Sequence, residues 1–267
     1  MIRTTWPEQN ALAALYDGAV FKCAATAETQ ALVADVRAML EEAFGPDVQS
    51  VHARLTFDDM KQSLADIRAA LERGPVYADA CRRILAALGL PEMRLDALRL
   101  RCVMHNGHES PAAERAYAAH RDTWFGNPEA QINLWLPVFD VTAAETFTFY
   151  PAYFNAPIEN SSGGFDYDVW MNKVGWQGAK TVRQAVEIDY PKVLEEIRDD
   201  KAFAFDARAG EVIVFSASHL HRTVRNSSGR TRFSLDFRAV HMPDHLAGRG
   251  APNVDNASRP DALRDYA

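Results

Sequence analysis

Apolar residues follow two different rhythms along this chain, with the change near Met93. Before it, they recur at helical spacing. Leu32, Val33, Val36, Met39 and Leu40 fall on one face of a helix predicted over Ala27–Phe44, which Thr26 caps and Gly45-Pro46 stops. Thr56, with Asp59 three residues on, has the form of a capping box and opens a second helix that ends before Gly74-Pro75. A third spans residues 77–88, closed by Gly89 and Pro91. The whole segment 1–92 therefore reads as a helical layer.

Beyond Met93 the runs are short, β-branched or aromatic, and bounded by turn residues. Leu95, Ala97 and the run 98–104 read as one strand, followed by strands over 131–139, 146–150, 211–216, 219–225 and 231–241. Most have no helix between them, which predicts an antiparallel sandwich or barrel rather than βαβ units. Residues 151–200 interrupt the series with a long irregular insert rich in Gly, Asn and aromatic residues. Helix is expected in it only over 191–198 and 182–186. A loop of that length in a compact domain is usually functional. Tyr153, Phe165, Tyr167, Trp170 and Trp176 mark it as a lid or wall. Residues 242–267, rich in Gly, Pro and Asp, read as an extended wrap or loose end. The predicted class is mainly β with N-terminal helices (α+β), in one domain over 1–267 with its core at 93–241.

Composition narrows the possible functions. The chain has 267 residues, 48% of them apolar and 24% charged, as in an ordinary globular protein. Lys and Arg number 29 against 36 Asp and Glu, a net charge of −7 that argues against a nucleic-acid partner held through phosphates. Residues 11–21 are interrupted by Asp17 and give no signal-peptide core, and no apolar run approaches membrane-span length. Cys23, Cys81 and Cys102 form neither a metal-ligand spacing nor an even disulfide set, so a reducing, cytoplasmic setting is expected. A monomer or homodimer, with no membrane partner, fits this profile.

Seven of the eight histidines lie beyond residue 100. His120 and Asp122, two apart on an extended segment, point to one side and can hold one metal ion. Alone the pair is weak evidence, because HxD occurs often by chance. His219 and His221 repeat the spacing next to a strand, and a hydrogen-bonded pair of strand histidines is the bland reading. Taken with His120 and Asp122, one of them completes a set of two histidines and one carboxylate, which leaves coordination positions open as non-haem Fe(II) oxygenases require. Arg230 and Arg232 follow a turn at Asn226–Gly229. A strand arginine facing the same cavity can grip a carboxylate bidentately. His219 precedes Arg230 by eleven positions and His221 precedes Arg232 by eleven, so spacing does not choose between the pairs. His105 and His108, in a Gly-containing turn, read as loop histidines.

The ordered stretches HRDTW, QINLWLPVFDV, TFTFYP and GEVIVFSASHLHRTVRNSSGRTRFS resemble the Fe(II)/2-oxoglutarate-dependent dioxygenases, most of all the phytanoyl-CoA dioxygenase-like branch. The resemblance spans about residues 95 to 240. It implies a double-stranded β-helix (jelly-roll) core with the metal at its open end, and Fe(II), 2-oxoglutarate and O2 as cofactor and co-substrates. Carried over, His120 and Asp122 are the first two iron ligands. In that branch an asparagine follows the distal ligand by five positions and a hydroxyl follows the arginine by two. Asn226 and Ser234 match, which selects His221 and Arg232. Gln131, Asn133 and Thr223 become further 2-oxoglutarate contacts, with Arg101 a weaker candidate.

The implied reaction is hydroxylation of an unactivated C–H bond in a small metabolite, an amino acid or biosynthetic intermediate, with release of succinate and CO2. Related halogenases carry a small residue where this chain has Asp122, which favours hydroxylation. Desaturation, epimerisation and ring closure use the same ligands. The competing reading is a metal-binding jelly-roll sensor or scaffold without oxygenase activity. It would keep the ligands and lack a working Arg232.

Overall fold

In the computed structural model, residues 2–173, 188–259 and 261–266 are described. The N-terminal layer holds α1 (Ala11–Tyr16), α2 (Ala27–Phe44), α3 (Phe57–Ser63), α4 (Ala65–Arg73) and α5 (Pro75–Ala87). The local signals act where expected. Thr26 and Thr56 both close reciprocal capping boxes, with Thr29 and Asp59 respectively. The second predicted helix divides into α3 and α4 at Leu64. That residue is fully buried, and the joint lets Met60 and Ile67 reach one core from two axes. A short strand, β1 (Phe21–Cys23), lies within the segment expected to be all helical. It is held only by long-range pairing, which no local periodicity announces.

The other strands are β2 (Met93–Leu95), β3 (Arg99–Val103), β4 (Gln131–Pro137), β5 (Phe147–Phe149), β6 (Val212–Ser216), β7 (His221–Thr223) and β8 (Arg232–His241). The expected strand over 95–104 is two strands, β2 and β3, and both pair with β8. The main antiparallel sheet runs β1-β6-β4-β8-β2, with β3 also on β8, and a small sheet pairs β5 with β7. Period-two alternation sorts the main sheet's faces. Ile132, Leu134, Leu136, Val214, Phe233, Leu235 and Phe237 join the core formed with the helices. Their neighbours Gln131, Asn133, Trp135, Arg232, Ser234, Asp236 and Arg238 line the other face. There Trp135, Ile213 and Phe215 pack against Phe147 and Phe149 of the small sheet. Each buried Leu or Phe contributes about 1.5–3 kcal/mol by leaving water. The apolar face thus anchors the sheet, and its polar neighbours need not contribute to hold it.

Two expectations for the insert are corrected, and of the two readings of the tail the wrap is the one found. Residues 191–198 are not helical. Val193 bridges Asn160, and the Glu195 carboxylate accepts from the Glu159 N–H at 2.6 Å, so this stretch is engaged in cross-links. A helix that was not expected, α6 (Tyr167–Lys173), forms earlier in the insert. The expected helix at 182–186 and Trp176 lie outside the described residues. The tail opens with a short helix, α7 (Met242–Leu246), then wraps back against the core and is not loose. Among the described residues no helix is long and apolar enough to cross a membrane.

Candidate functional site

His120 lies on an extended segment whose backbone bridges to β7. The His120 N–H donates to the His221 carbonyl and the His221 N–H to the His120 carbonyl, each at 3.0 Å. This pairing puts both imidazoles on one side, with ring centres 4.5 Å apart. Asp122 is not extended as expected but opens a tight 3-10 turn over Asp122–Phe125, its N–H donating to the Ala217 carbonyl at 3.0 Å. One ligand atom each from His120, Asp122 and His221 lies within 4.8 Å of the others. Among the described residues this is the one such cluster.

Each imidazole is oriented through its Nδ1–H, which donates to a backbone carbonyl at 3.0 Å, His120 to Ala118 and His221 to His219. A carbonyl can only accept, so Nδ1 carries the hydrogen and Nε2 keeps its lone pair. His120 Nε2 stands 3.5 Å from Asp122 Oδ1. The other carboxylate oxygen is held elsewhere. Asn133 Nδ2 donates to Oδ2 at 2.7 Å, and Arg238 Nε lies 3.6 Å from it. Burial alone would raise the Asp122 pKa, but the positive charge of Arg238 holds it well below the usual carboxylate range. Burial, with repulsion from His120, lowers His221 to about 4. The donor set therefore presents two imidazole nitrogens and one carboxylate, which suits a divalent transition metal with open positions.

The two arginines on and before β8 part company. Arg230 binds Glu145 through two nitrogens, Nε to Oε1 at 3.0 Å and Nη2 to Oε2 at 2.5 Å, and so has a carboxylate already. Arg232 is 4% exposed, and its Nε and Nη1 have no hydrogen-bond partner in the protein. Burial pushes its pKa down to about 10. Ser234 Oγ, on the same face of β8, is also buried without a partner. An unsatisfied buried guanidinium costs several kcal/mol unless an anion meets it. Arg232 and Ser234 thus fit a carboxylate ligand.

The remaining expected residues fall into place around this centre. Thr223 shares a strand face with His221, opposite Phe147. Gln131 and Asn133 bond to each other, Nε2 to Oδ1 at 2.8 Å, as well as supporting Asp122. Arg101 is held bidentately by Asp236, at 2.7 and 3.0 Å. His219 lies outside β7 and does not join the cluster. The backbone turns at 217–218, where the His219 N–H donates to the Ser216 carbonyl, and the His219 ring packs among Phe149, Phe154 and Phe215. His105 stacks on His52 and accepts from the Gly229 N–H, and His108 packs on Tyr117, so neither joins the cluster.

Several contributors were not among the expected residues. Arg238 lies six positions beyond Arg232 on the same strand face, a spacing that alternation could have revealed. Arg121, between His120 and Asp122, is 1% exposed and donates to Asp255, Ser218 O, Tyr153 O and Ala156 O. Asp255 also accepts from Trp124 Nε1 at 2.8 Å and from the Ile158 N–H at 3.0 Å. A tail aspartate thereby ties the ligand turn to the insert. Phe125 meets the His120 ring edge-on at 5.4 Å and packs on Phe165, which begins an aromatic wall on the insert side.

A family model described as phytanoyl-CoA dioxygenase (PhyH) matches residues 18–234. Solved structures similar to this chain include EvdO2 from Micromonospora carbonacea var. aurantiaca complexed with 2-oxoglutarate. It is 12% identical, with 90% of this chain and 93% of that one covered and a TM-score of 0.52, a likeness of fold. The non-haem monooxygenase ThoJ in its apo form is 16% identical over 81% of this chain and 71% of its own, with a TM-score of 0.44. The non-haem α-ketoglutarate-dependent epimerase SnoN from nogalamycin biosynthesis is 16% identical over 96% and 97%, with a TM-score of 0.41. No curated protein matches the chain.

Proposed function

This chain belongs to the phytanoyl-CoA dioxygenase family of Fe(II)/2-oxoglutarate oxygenases, and from that premise we propose that it hydroxylates an unactivated C–H bond of a small metabolite, an amino acid or biosynthetic intermediate. In this reading His120, Asp122 and His221 hold Fe(II). Arg232 grips the far carboxylate of 2-oxoglutarate, with Ser234 and Thr223 offering hydroxyl contacts. Fe(II) with 2-oxoglutarate and O2 supplies the oxidising power, the co-substrate leaving as succinate and CO2.

What the chain itself does is positional. The Nδ1–H bonds of His120 and His221 aim both Nε2 lone pairs at one point, and Asn133 and Arg238 fix which oxygen Asp122 presents. Phe125 and Phe165, whose rings meet edge-on, are read as a wall that keeps water from the substrate side and orients the C–H bond. The two facing sheets are read as a jelly-roll core within one domain, with residues 1–92 as its outer layer.

One observation carries the reading. A buried arginine whose Nε and Nη1 have no hydrogen-bond partner in the protein lies on the sheet face that also supports a His-Asp-His cluster. A metal-binding scaffold has no use for that cation. The test is a substrate screen by mass spectrometry under air with Fe(II) and 2-oxoglutarate. A product heavier by one oxygen, formed in step with succinate, supports hydroxylation. Loss of two hydrogens, or no change in mass with turnover, would replace it by desaturation or epimerisation at the same site.

A further inference from the structure

Resting on the reading of His120, Asp122 and His221 as metal ligands, we propose that the C-terminal tail is part of the metal centre, with Tyr266 the positioning residue that holds Asp122 in its ligating orientation. Tyr266 is 5% exposed and packs against Ala130 and Val240 at the base of the inner sheet face. Its hydroxyl donates to Gln131 Oε1 and lies 3.1 Å from Asn127 Oδ1. Two branches lead from there to one residue. Gln131 Nε2 donates to Asn133 Oδ1 at 2.8 Å, and Asn133 Nδ2 donates to Asp122 Oδ2 at 2.7 Å. Asn127 Nδ2 donates to the Asp122 backbone carbonyl at 2.8 Å. The hydroxyl therefore reaches the carboxylate through Gln131 and Asn133, and lies beside the amide that holds the main chain of the ligand.

The direction of the relay is the physical point. Every amide donates toward Asp122, so the far end must be closed by a group that donates into Gln131 Oε1. Gln131 is fully buried, so an amide oxygen left unmet there loses its water without gaining a partner. Without the hydroxyl, Gln131 gains by flipping, which turns its oxygen toward Asn133 and removes the donor that fixes Asn133. Asp122 Oδ2 then loses its 2.7 Å bond, and only Arg238, at 3.6 Å, is left to distinguish the two carboxylate oxygens. Burial, above all, pushes the Tyr266 pKa well above the usual tyrosine range, so the O–H persists. The tail is docked for this purpose independently of Tyr266. The Ala251 N–H donates to the Glu129 carbonyl at 3.0 Å and the Ala262 N–H to the Gly126 carbonyl at 2.7 Å, on the loop between Asp122 and β4.

The experiment titrates the metal-free, full-length protein with Fe(II) under anaerobic conditions, without substrate or turnover. Tyr266→Phe should weaken Fe(II) binding about tenfold, as support of a ligand from beyond its first contacts typically does. Tyr266→Phe combined with Asn133→Ala should lose clearly less than the product of the two single losses, because both act through one hydrogen bond. Leu263→Ala loosens tail packing but keeps the hydroxyl, and should leave Fe(II) affinity unchanged. Unaltered affinity in Tyr266→Phe, multiplicative losses in the double variant, or an equal loss in Leu263→Ala would each overturn the proposal while the ligand assignment stands. Absence of Fe(II) binding by the wild-type chain would instead remove the ligand assignment, and the proposal with it.

Discussion

His120 and His221 exchange backbone hydrogen bonds of 3.0 Å in both directions, joining the ligand turn to β7 as one more rung of the small sheet. The pairing explains why two histidines so distant in sequence stand side by side. It also separates His221 from His219, since only His221 belongs to the rung. The consequences reach metal binding, co-substrate binding and stability.

Substitution should distinguish the two histidines. His221→Ala removes a ligand and should weaken Fe(II) binding by more than about a hundredfold, beyond what loss of a supporting residue costs. His219→Ala should retain the metal while losing stability through the cavity left among Phe149, Phe154 and Phe215. Calorimetric titration with Fe(II) beside a urea melt reads both. The reverse pattern would move the ligand by two residues.

The two arginines should separate in the same manner. Arg232→Ala should cost about 2–5 kcal/mol of 2-oxoglutarate binding, a rise in apparent Kd of at least about 30-fold. Arg230→Ala should leave that Kd alone and lower stability by about 1 kcal/mol, because Glu145 retains its bonds to Thr142 and Ser228. Equal effects on 2-oxoglutarate would contradict the assignment.

Asp255 carries the tail's ionic tie to the ligand turn. With the Arg121 and Asp255 side chains 1% and 5% exposed, Asp255→Ala leaves a buried guanidinium uncompensated and should destabilise the fold by about 3–5 kcal/mol. Denaturant unfolding measures it. A loss under about 1 kcal/mol would show that water or another carboxylate takes the place of Asp255.

Stability of the metal-free protein should fall with acid through His219. Burial first, and then repulsion by His221, lowers its folded pKa from 6.5 to about 3. Below pH 6.5 the unfolded chain takes up the proton and the folded one does not, so stability drops from there to about pH 3 and levels off beneath it. His219→Phe, which keeps a ring among three others, should flatten that slope in pH-dependent urea melts. An unchanged slope would assign the acid sensitivity to other groups.

The sequence reveals what is local and hides what is assembled. Capping at Thr26 and Thr56 and the strand runs of β4, β6 and β8 are near-neighbour effects, and each is found within a residue or two of its expected bounds. The choice of His221 and Arg232 rested on family likeness, because spacing was symmetric. The physical difference is that Glu145, far away in sequence, binds Arg230. Alternation failed at His219 because the backbone turns at 217–218, and strand periodicity holds only within a strand. Arg121, Asp255 and Tyr266 were illegible for the same reason as β1: their partners are set by tertiary packing of the tail and edges.

The most direct test of the central claim is the visible spectrum of the anaerobic protein with Fe(II) and 2-oxoglutarate. A chelate at His120, Asp122 and His221 with its far carboxylate on Arg232 predicts a weak charge-transfer band. The band should need both additions, vanish in His221→Ala and require far more 2-oxoglutarate in Arg232→Ala. No band in the wild-type chain, or an unchanged titration in Arg232→Ala, would contradict the account.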